Sequence, residues 1–550
     1  MIRTEDKQGR SRCTLCPATC EVQVAPKGPD TWRSEYPLEN AGGVCPRGSS
    51  LAELLSCRSR ILEPARRVSG RWVPCDFQSA CREVIRSAAG KGVTILLDGN
   101  VAVEQLTAAA AWCMAWDAAS LCLVGEPSEE QLLLGLEGSG AKYLDNDGLS
   151  TCDGFVVVGD AFSANPTCAS AVFDRRASEP ATPLVAIDPA AGKVSKFATH
   201  RIDTLPGMEL ATLAALIRAA GAEADVPTTA FCRDEISVAP SAKAAGTAIA
   251  DCSRLGVLIV AEYGRCNAWR QIGFLAGRLA EARGGGTAPQ TNGANALAAV
   301  RLARKLGGIS LASALSADDT VRVAVGCDVL GMLGLQQPVI AAAAAGLSNV
   351  TTDSAQVVLP VAMPGEIGGT YLSAGARTLN VEPALSAPAG VCGPAQVVAE
   401  LARAAGVAAP VGVAEELAGD PLGQAEPGPA PAWSDPAPLV LLLGRQAIHA
   451  GCGELTSHGS WQRALQPEAE LRMSPRDADA AGIGNLAFVT VRVGDAAVRA
   501  RVRFAPELAP GVMVLPEGIS VARRLIPSTI DSDNDTLTAT PVAAEVIVGE

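Results

Sequence analysis

Cys13-Thr-Leu-Cys16-Pro-Ala-Thr-Cys20, followed by Cys45-Pro-Arg-Gly48, gathers four thiols within 33 residues of an otherwise ordinary acidic chain. Thiolates at such spacing can wrap one soft metal centre, and for iron the reading is a [4Fe–4S] cluster with four cysteine ligands. The stretch between Cys20 and Cys45 holds Pro26, Gly28, Pro29, Pro37, Gly42 and Gly43. It therefore turns often enough to return the fourth thiol to the first three. A structural zinc site also uses four cysteines, but zinc ribbons pair two CxxC knuckles and the second half here is a single Cys. Zinc stays as the alternative. A disulfide framework does not suit a large chain with no secretory signal.

Outward from that stretch, composition sets bounds. A length of 550 residues excludes a single small domain. Hydrophobic residues at 48% and charged residues at 19% give a globular balance with ample core. The net charge of −13 argues against nucleic acid or an anionic membrane surface as partner. Apolar runs such as Leu439 to Leu443 are too short to span a bilayer, so no membrane span is expected. The opening Met1-Ile-Arg-Thr-Glu-Asp-Lys7 has no apolar core, and a cytoplasmic location is the expectation. Thirteen of the 17 cysteines lie outside the front group, and most read as small hydrophobic filler in a reducing compartment. With only His200, His449 and His458 present, multi-histidine metal sites have little room.

From Val93 onward short apolar strands alternate with helical patterns: Val93 to Leu97, Ala119 to Val124, Phe155 to Val158 and Leu184 to Ile187, then a second set from Gly256. This alternation predicts parallel sheets with helices on both faces. Ligands bind beyond the carboxyl ends of such strands, which makes Gly159, Asn165 and Asp188 candidate cofactor-edge residues, with plain turn residues as the alternative. No glycine group fits a Walker or GxGxxG pattern. Residues 405–438 are rich in Ala, Pro, Gly and acid and read as a linker. After it come short strands with turns at Gly494-Asp495 and Pro510-Gly511, which predict a compact, largely antiparallel β-barrel-like domain. The expected class is α/β: a [4Fe–4S] module over 1–65, two doubly wound parallel α/β units over 66–250 and 251–404, the linker, and the barrel-like domain over 439–550.

Together these pieces resemble the molybdopterin oxidoreductase superfamily, which includes formate dehydrogenases, the formylmethanofuran dehydrogenase molybdenum subunit and the large Fe–S subunit of respiratory complex I. The resemblance spans nearly the whole chain. It rests on CxxCxxxC with a distant Cys-Pro-Arg-Gly, on Cys152-Asp-Gly-Phe-Val-Val-Val-Gly-Asp160 with Asn165-Pro166 and Val185-Ala-Ile-Asp188-Pro189, and on Thr352 to Pro360 with Glu366-Ile-Gly-Gly-Thr370 and Gly375-Ala-Arg377. Gly444-Arg445 and Met473-Ser-Pro-Arg-Asp-Ala478 look like the family's dinucleotide-binding module.

The resemblance implies Cys13, Cys16, Cys20 and Cys45 as cluster ligands and Arg47 as the cation between cluster and pterin. Arg377, Arg445 and His449 fall where pterin contacts are expected. Active members carry molybdenum or tungsten on a bis(pyranopterin guanine dinucleotide), with a Cys, selenocysteine, Ser or Asp on the metal. In the matching zone, Leu121 to Ser128, Cys122 is the only thiol, and it lies in an apolar run. The leading expectation is an oxidoreductase subunit that passes electrons through one cluster to partner Fe–S or flavin subunits without its own molybdenum. The alternatives are an active molybdenum or tungsten enzyme of formate or formyl groups with Cys122 as metal ligand, and a zinc-stabilised interaction protein. A glycine-lined cleft reached by Cys122 would favour catalysis, and a cleft filled by side chains would favour electron transfer alone.

Overall fold

The uninterrupted apolar runs of the middle of the chain form parallel strands buried on both faces, as such runs should. In the computed structural model, which describes residues 9–28, 31–36, 45–222, 239–335, 340–414, 418–428, 439–449, 451, 453–518, 522–531 and 535–548, they make two sheets. Strand Gly154–Val158 lies between Leu184–Ile187 and Leu255–Ile259, with Val156 opposite both Val185 and Val257. Strands His200–Ile202 and Gly286–Pro289 complete a five-stranded parallel sheet. The other sheet has seven strands. It takes Gly92–Asp98 and Ala119–Val124 from early in the chain and Thr320–Val325, Ala342–Ala345 and Val357–Pro360 from much later. A hairpin, Ala65–Val68 with Arg71–Pro74, is added antiparallel at one edge.

The two α/β units therefore do not separate at residue 250. Strands from either side of that point enter both sheets. Parallel strands need a long crossover, and a crossover can pass to another sheet as easily as to a neighbour. Apolar periodicity does not encode that choice.

Two helices join the sheets. Pro127–Ser139 starts on a proline, stops at Gly140 with φ +74°, and packs along Trp269–Ala282. Glycines let their backbones touch. A Cβ at Gly273 would stand 2.5 Å from the Leu132 carbonyl oxygen, and one at Gly135 would collide with the Arg270 carbonyl. The expected linker begins where helix Pro394–Ala404 ends. Its described part is tied to this helix pair, with Arg301 donating to Gly419 O at 2.8 Å and Leu422 N–H donating to Glu137 at 2.8 Å. Residues 429–438 lie outside the described residues.

The N-terminal module is a three-stranded antiparallel sheet, Gly9–Arg12, Glu21–Gly28 and Thr31–Glu35, followed by helix Pro46–Leu54. The C-terminal sheet runs Val542–Ala543, Val440–Gly444, Val512–Pro516, Ala469–Met473, Ala496–Phe504, Phe488–Val493, Glu545–Val548. Its first and last strands are adjacent in sequence, so the sheet is nearly closed around Leu441, Leu443, Leu471, Val491 and Val502. Four of its six strand pairings are antiparallel, as expected, and two are parallel. Val440–Gly444 pairs parallel with Val512–Pro516, and Ala469–Met473 with Ala496–Phe504. Helix Pro475–Ala480, on the path between the second pair, supplies such a crossover. Among the described residues no helix is long and apolar enough to cross a membrane.

The helix pair makes a direct prediction. Gly273→Ala should destabilise the protein by about 1–3 kcal/mol, because the methyl group meets backbone that cannot step aside. Gly393→Ala, where a Cβ meets nothing within 4 Å, should leave the thermal midpoint in place; paired melting curves check both.

Candidate cofactor site

Cys13 follows strand Gly9–Arg12 and Cys20 precedes Glu21–Gly28, so the antiparallel pairing of those strands sets the two cysteines opposite each other. Cys13 N–H donates to Cys20 C=O at 2.8 Å. Thr19, with φ +43°, closes the turn by donating to Cys16 C=O at 3.2 Å. Cys45 caps helix Pro46–Leu54, its Sγ accepting the Gly48 N–H at 3.4 Å. Only glycine fits at Gly48: a Cβ would strike the Tyr36 hydroxyl and stand 3.6 Å from Cys13 Sγ.

Burial pushes the Cys13 thiol well up, and the neighbouring Cys16, Cys45 and Cys20 push it further. Cys20 is raised to about 12 by burial and then by Cys16 and Cys45. Burial favours the protonated forms of Cys13, Cys16 and Cys20, whose protons a metal would displace. Around one zinc four sulfurs would lie about 3.8 Å apart. Among the described residues no three His, Cys, Asp or Glu groups close up enough for a single metal ion.

Arg47 leads away from the thiols. Burial raises Cys16, and the Arg47 guanidinium beside it pulls in the opposite direction. The same guanidinium donates to Ala164 O at 2.5 Å, to the Ser163 carbonyl, and through Nε to Ala447 O at 3.3 Å. Ser163 and Ala447 line a polar cavity of about 1170 Å³ between the carboxyl ends of the five-stranded sheet and the C-terminal domain. Six cations line it, Lys193, Lys196, Arg265, Arg445, Arg472 and Arg503, against four acids, Asp160, Glu262, Glu470 and Glu507. The buried Arg265 Nε has no hydrogen-bond partner. Behind the wall Asp188 accepts from Ala190 N at 3.0 Å, Gly192 N at 2.5 Å and Arg265 Nη1 at 3.2 Å. Gly192 must be bare, since a Cβ would land on the Asp160 carboxylate. Gly159 takes a left-handed turn at φ +79° at the end of its strand. Asn165 caps helix Pro166–Ser178 and donates to Gln290 Oε1 at 2.8 Å. Both shape the cavity's rim without lining it.

A second cavity, of about 1370 Å³, opens at the carboxyl ends of the seven-stranded sheet. Asp98, Gly125, Gly326 and Ala345 come from its strand ends, and Thr14 and Leu15 from the loop of the four thiols. A Cβ at Gly125 or Gly326 would meet nothing within 4 Å, so these glycines leave free space. On one side five buried charges join the C-terminal domain to the sheet edge. Glu126 Oε2 accepts from Arg523 Nη2 at 2.9 Å and Asn292 Nδ2 at 2.8 Å and faces Arg445 Nη2 at 3.5 Å. Arg445 lies 3.6 Å from Glu129 and 3.2 Å from Glu517, and Arg523 also pairs with Glu517.

Residues 439–543, whose strands wall the first cavity, match the Molydopterin dinucleotide binding domain. By structure the chain is similar to acetylene hydratase from Pelobacter acetylenicus, with a TM-score of 0.69 and 11% sequence identity over 98% of this chain and 100% of that one. The chain shares its overall fold with that protein, and its C-terminal domain matches the dinucleotide-binding family. No curated protein matches it by sequence.

Other expected residues fall elsewhere. Cys122 is fully buried in an apolar cluster with Leu96, Val124, Leu311 and Ala324, while its neighbour Leu123 lines the second cavity. Burial pushes its thiol well up, and it does not reach the cleft. Arg377 is 65% exposed and pairs with Asp145, away from both cavities. His449 is buried against Thr456 Oγ1 at 3.1 Å, and burial lowers it to about 4, so it packs as a neutral ring. Sequence reading missed Glu126, Glu129, Glu517 and Arg523, which carry no motif of their own.

Two outcomes are expected here. Arg523→Met should cost about 3–5 kcal/mol, because it leaves Glu126 and Glu517 buried with too little countercharge; a lower melting midpoint and earlier proteolysis of the C-terminal domain would register it. Glu209, behind Arg265, is buried with no partner on either oxygen, and burial raises it to about 7 despite Arg265. An acid whose folded pKa exceeds its unfolded value stabilises the fold below the unfolded pKa and loses that contribution as pH rises towards 7. Glu209→Gln should therefore gain stability over the wild type at pH 8 and gain none at pH 4, as read from melts at the two pH values.

Proposed function

We propose that this chain is a redox enzyme chain holding one [4Fe–4S] cluster on Cys13, Cys16, Cys20 and Cys45 and a molybdenum or tungsten pterin dinucleotide in the basic cavity, and passing electrons to a partner redox subunit. The observation that carries the reading is Arg47. It is one buried cation whose charge lies beside Cys16 and whose donors end on Ser163 and Ala447, in the wall of the cavity. The cavity suits an anionic dinucleotide. Lys193 and Lys196 supply charge for a pyrophosphate, Arg472 and Arg503 stand beside them paired with Glu507 and Glu470, Arg265 Nε offers an unused donor, and Gly192 leaves backbone within reach.

When bound, the cluster supplies one-electron transfer. Arg47 would favour its reduced state by facing the added negative charge. The two β-strands and the cap at Cys45 would fix the four sulfurs without rearrangement. The sealed thiol pocket would keep water from the sulfides.

A second reading, electron transfer through the cluster with no molybdenum or tungsten, is favoured by Cys122. That thiol is turned away from the cleft, and no other cysteine lines either cavity among the described residues.

Metal and pterin analysis of anaerobically purified protein tests both. About four irons per chain with pterin and molybdenum or tungsten is the expected result. Four irons without pterin supports the second reading, and zinc alone overturns both. Arg47→Met should keep the iron and move the cluster potential downward by tens of millivolts, on the scale of about 60 mV per tenfold change for one electron, read by EPR-monitored titration.

A further inference from the structure

The two cavities have opposite electrical character. The basic one is lined by six cations and four acids. The other is lined by five carboxylates, Asp98, Glu126, Glu129, Glu130 and Glu454, and by no lysine, arginine or histidine among the described residues. Cations behind its wall are already engaged. Arg523 and Arg445 hold Glu126, Arg445 lies beside Glu129, and Arg304 holds Glu130 at 2.7 Å. Asp98 is met by Asn100 and local backbone amides instead, and Glu454 by Asn349 and the Asp328 backbone. Burial raises both carboxyls, and Asp328 and Asp98 raise Glu454 further. Glu126 Oε1 is buried with no hydrogen-bond partner. Beside Thr14, Asn100, Gln105, Asn292 and Asn349, the wall has an apolar part with Leu15, Leu133, Met332, Met363 and the ring of Tyr371.

Such a wall repels a pyrophosphate, whose two negative charges would sit among carboxylates in a medium of low dielectric. It repels formate for the same reason. A protonated amine reverses the sign. Its ammonium group would give Asp98 and Glu454 the countercharge they lack. Its hydrocarbon body would cover the Leu, Met and Tyr surface, with the Tyr371 ring adding cation–π attraction. Thr14 and Leu15 belong to this wall and to the loop of Cys13 and Cys16, so an occupant would lie beside the cluster module.

Given a dinucleotide in the basic cavity, as argued above, we propose that the acidic cavity holds an organic cation with an apolar body, of the protonated-amine class, and not a second phosphorylated cofactor. The chain would then carry one dinucleotide rather than two.

The experiment uses the full chain purified anaerobically. Nucleotide released by acid is counted per chain, and calorimetry compares 4-phenylbutylamine with 4-phenylbutanoate. One nucleotide per chain is expected, with the amine binding at least tenfold more tightly than the carboxylate. Asp98→Asn and Glu454→Gln, each checked for folding by circular dichroism and iron content, should weaken the amine roughly 10- to 100-fold and leave the nucleotide count unchanged. Two nucleotides per chain, equal binding of amine and carboxylate, no amine binding, or wild-type affinity in both variants would overturn the proposal. No nucleotide with selective amine binding intact would sink the dinucleotide reading and still support the acidic cavity.

Discussion

Five buried charged side chains, Glu126, Glu129, Glu517, Arg445 and Arg523, meet where the end of strand Ala119–Val124, the loop at Asn292 and the C-terminal domain come together. Such a set adds little net stability over a well-packed apolar contact, because each charge has lost its water. Its value lies in geometry. A buried carboxylate without its guanidinium is costly, so the C-terminal domain can dock in only one register. Arg523 adds its stacking over Tyr263, 4.1 Å from the ring centre, and the single hydroxyl proton of Tyr263 is shared between Ile526 O at 2.7 Å and Leu333 O at 3.0 Å. That docking makes the cavities. The C-terminal domain walls one against the five-stranded sheet and, through Glu454 and Leu455, closes part of the other.

With the domain in place, each sheet presents its carboxyl ends to a separate space, as open α/β sheets do. The charge on those strand ends then separates the two. The five-stranded sheet ends in Lys193 and Arg265, and the seven-stranded one in Asp98 and Glu126. Both spaces touch the N-terminal module, one through Arg47 and one through Thr14 and Leu15. A single cluster at the four thiols would thus serve two neighbours of opposite polarity.

Much of this was legible in the chain, and the losses have physical causes. Apolar runs such as Phe155 to Val158 announced strands because both faces are covered. Which sheet a strand joins is decided by crossovers, so Gly92–Asp98 and Leu255–Ile259 were assigned to the wrong neighbours. Cys122 shows a finer limit. Side chains alternate along a strand, and a shift of one residue exchanges faces. Leu123 and Cys122 therefore point to opposite sides, and nothing in Leu121-Cys122-Leu123-Val124 says which side holds the cleft. The Glu126 network was invisible because its members lie up to 397 residues apart and as single Glu and Arg residues look like solvated surface.

Arg47 is the residue through which module, cleft and barrel act as one object. It sits directly after the Cys45-Pro46 pair, in the first turn of a helix whose cap is itself one of the four thiols. Its guanidinium has no carboxylate partner among its hydrogen bonds; the acceptors are the backbone carbonyls of Ser163, Ala164 and Ala447. Burial opposes its charge, and the thiols of Cys16 and Cys45 favour it. A buried cation neutralised only by carbonyl dipoles is incomplete until negative charge arrives nearby. Thiolates carrying a cluster on one side and an anionic dinucleotide on the other would supply that charge. On the proposed function, the side chain that fastens the domains together would therefore be stabilised by the cofactors whose sites it separates.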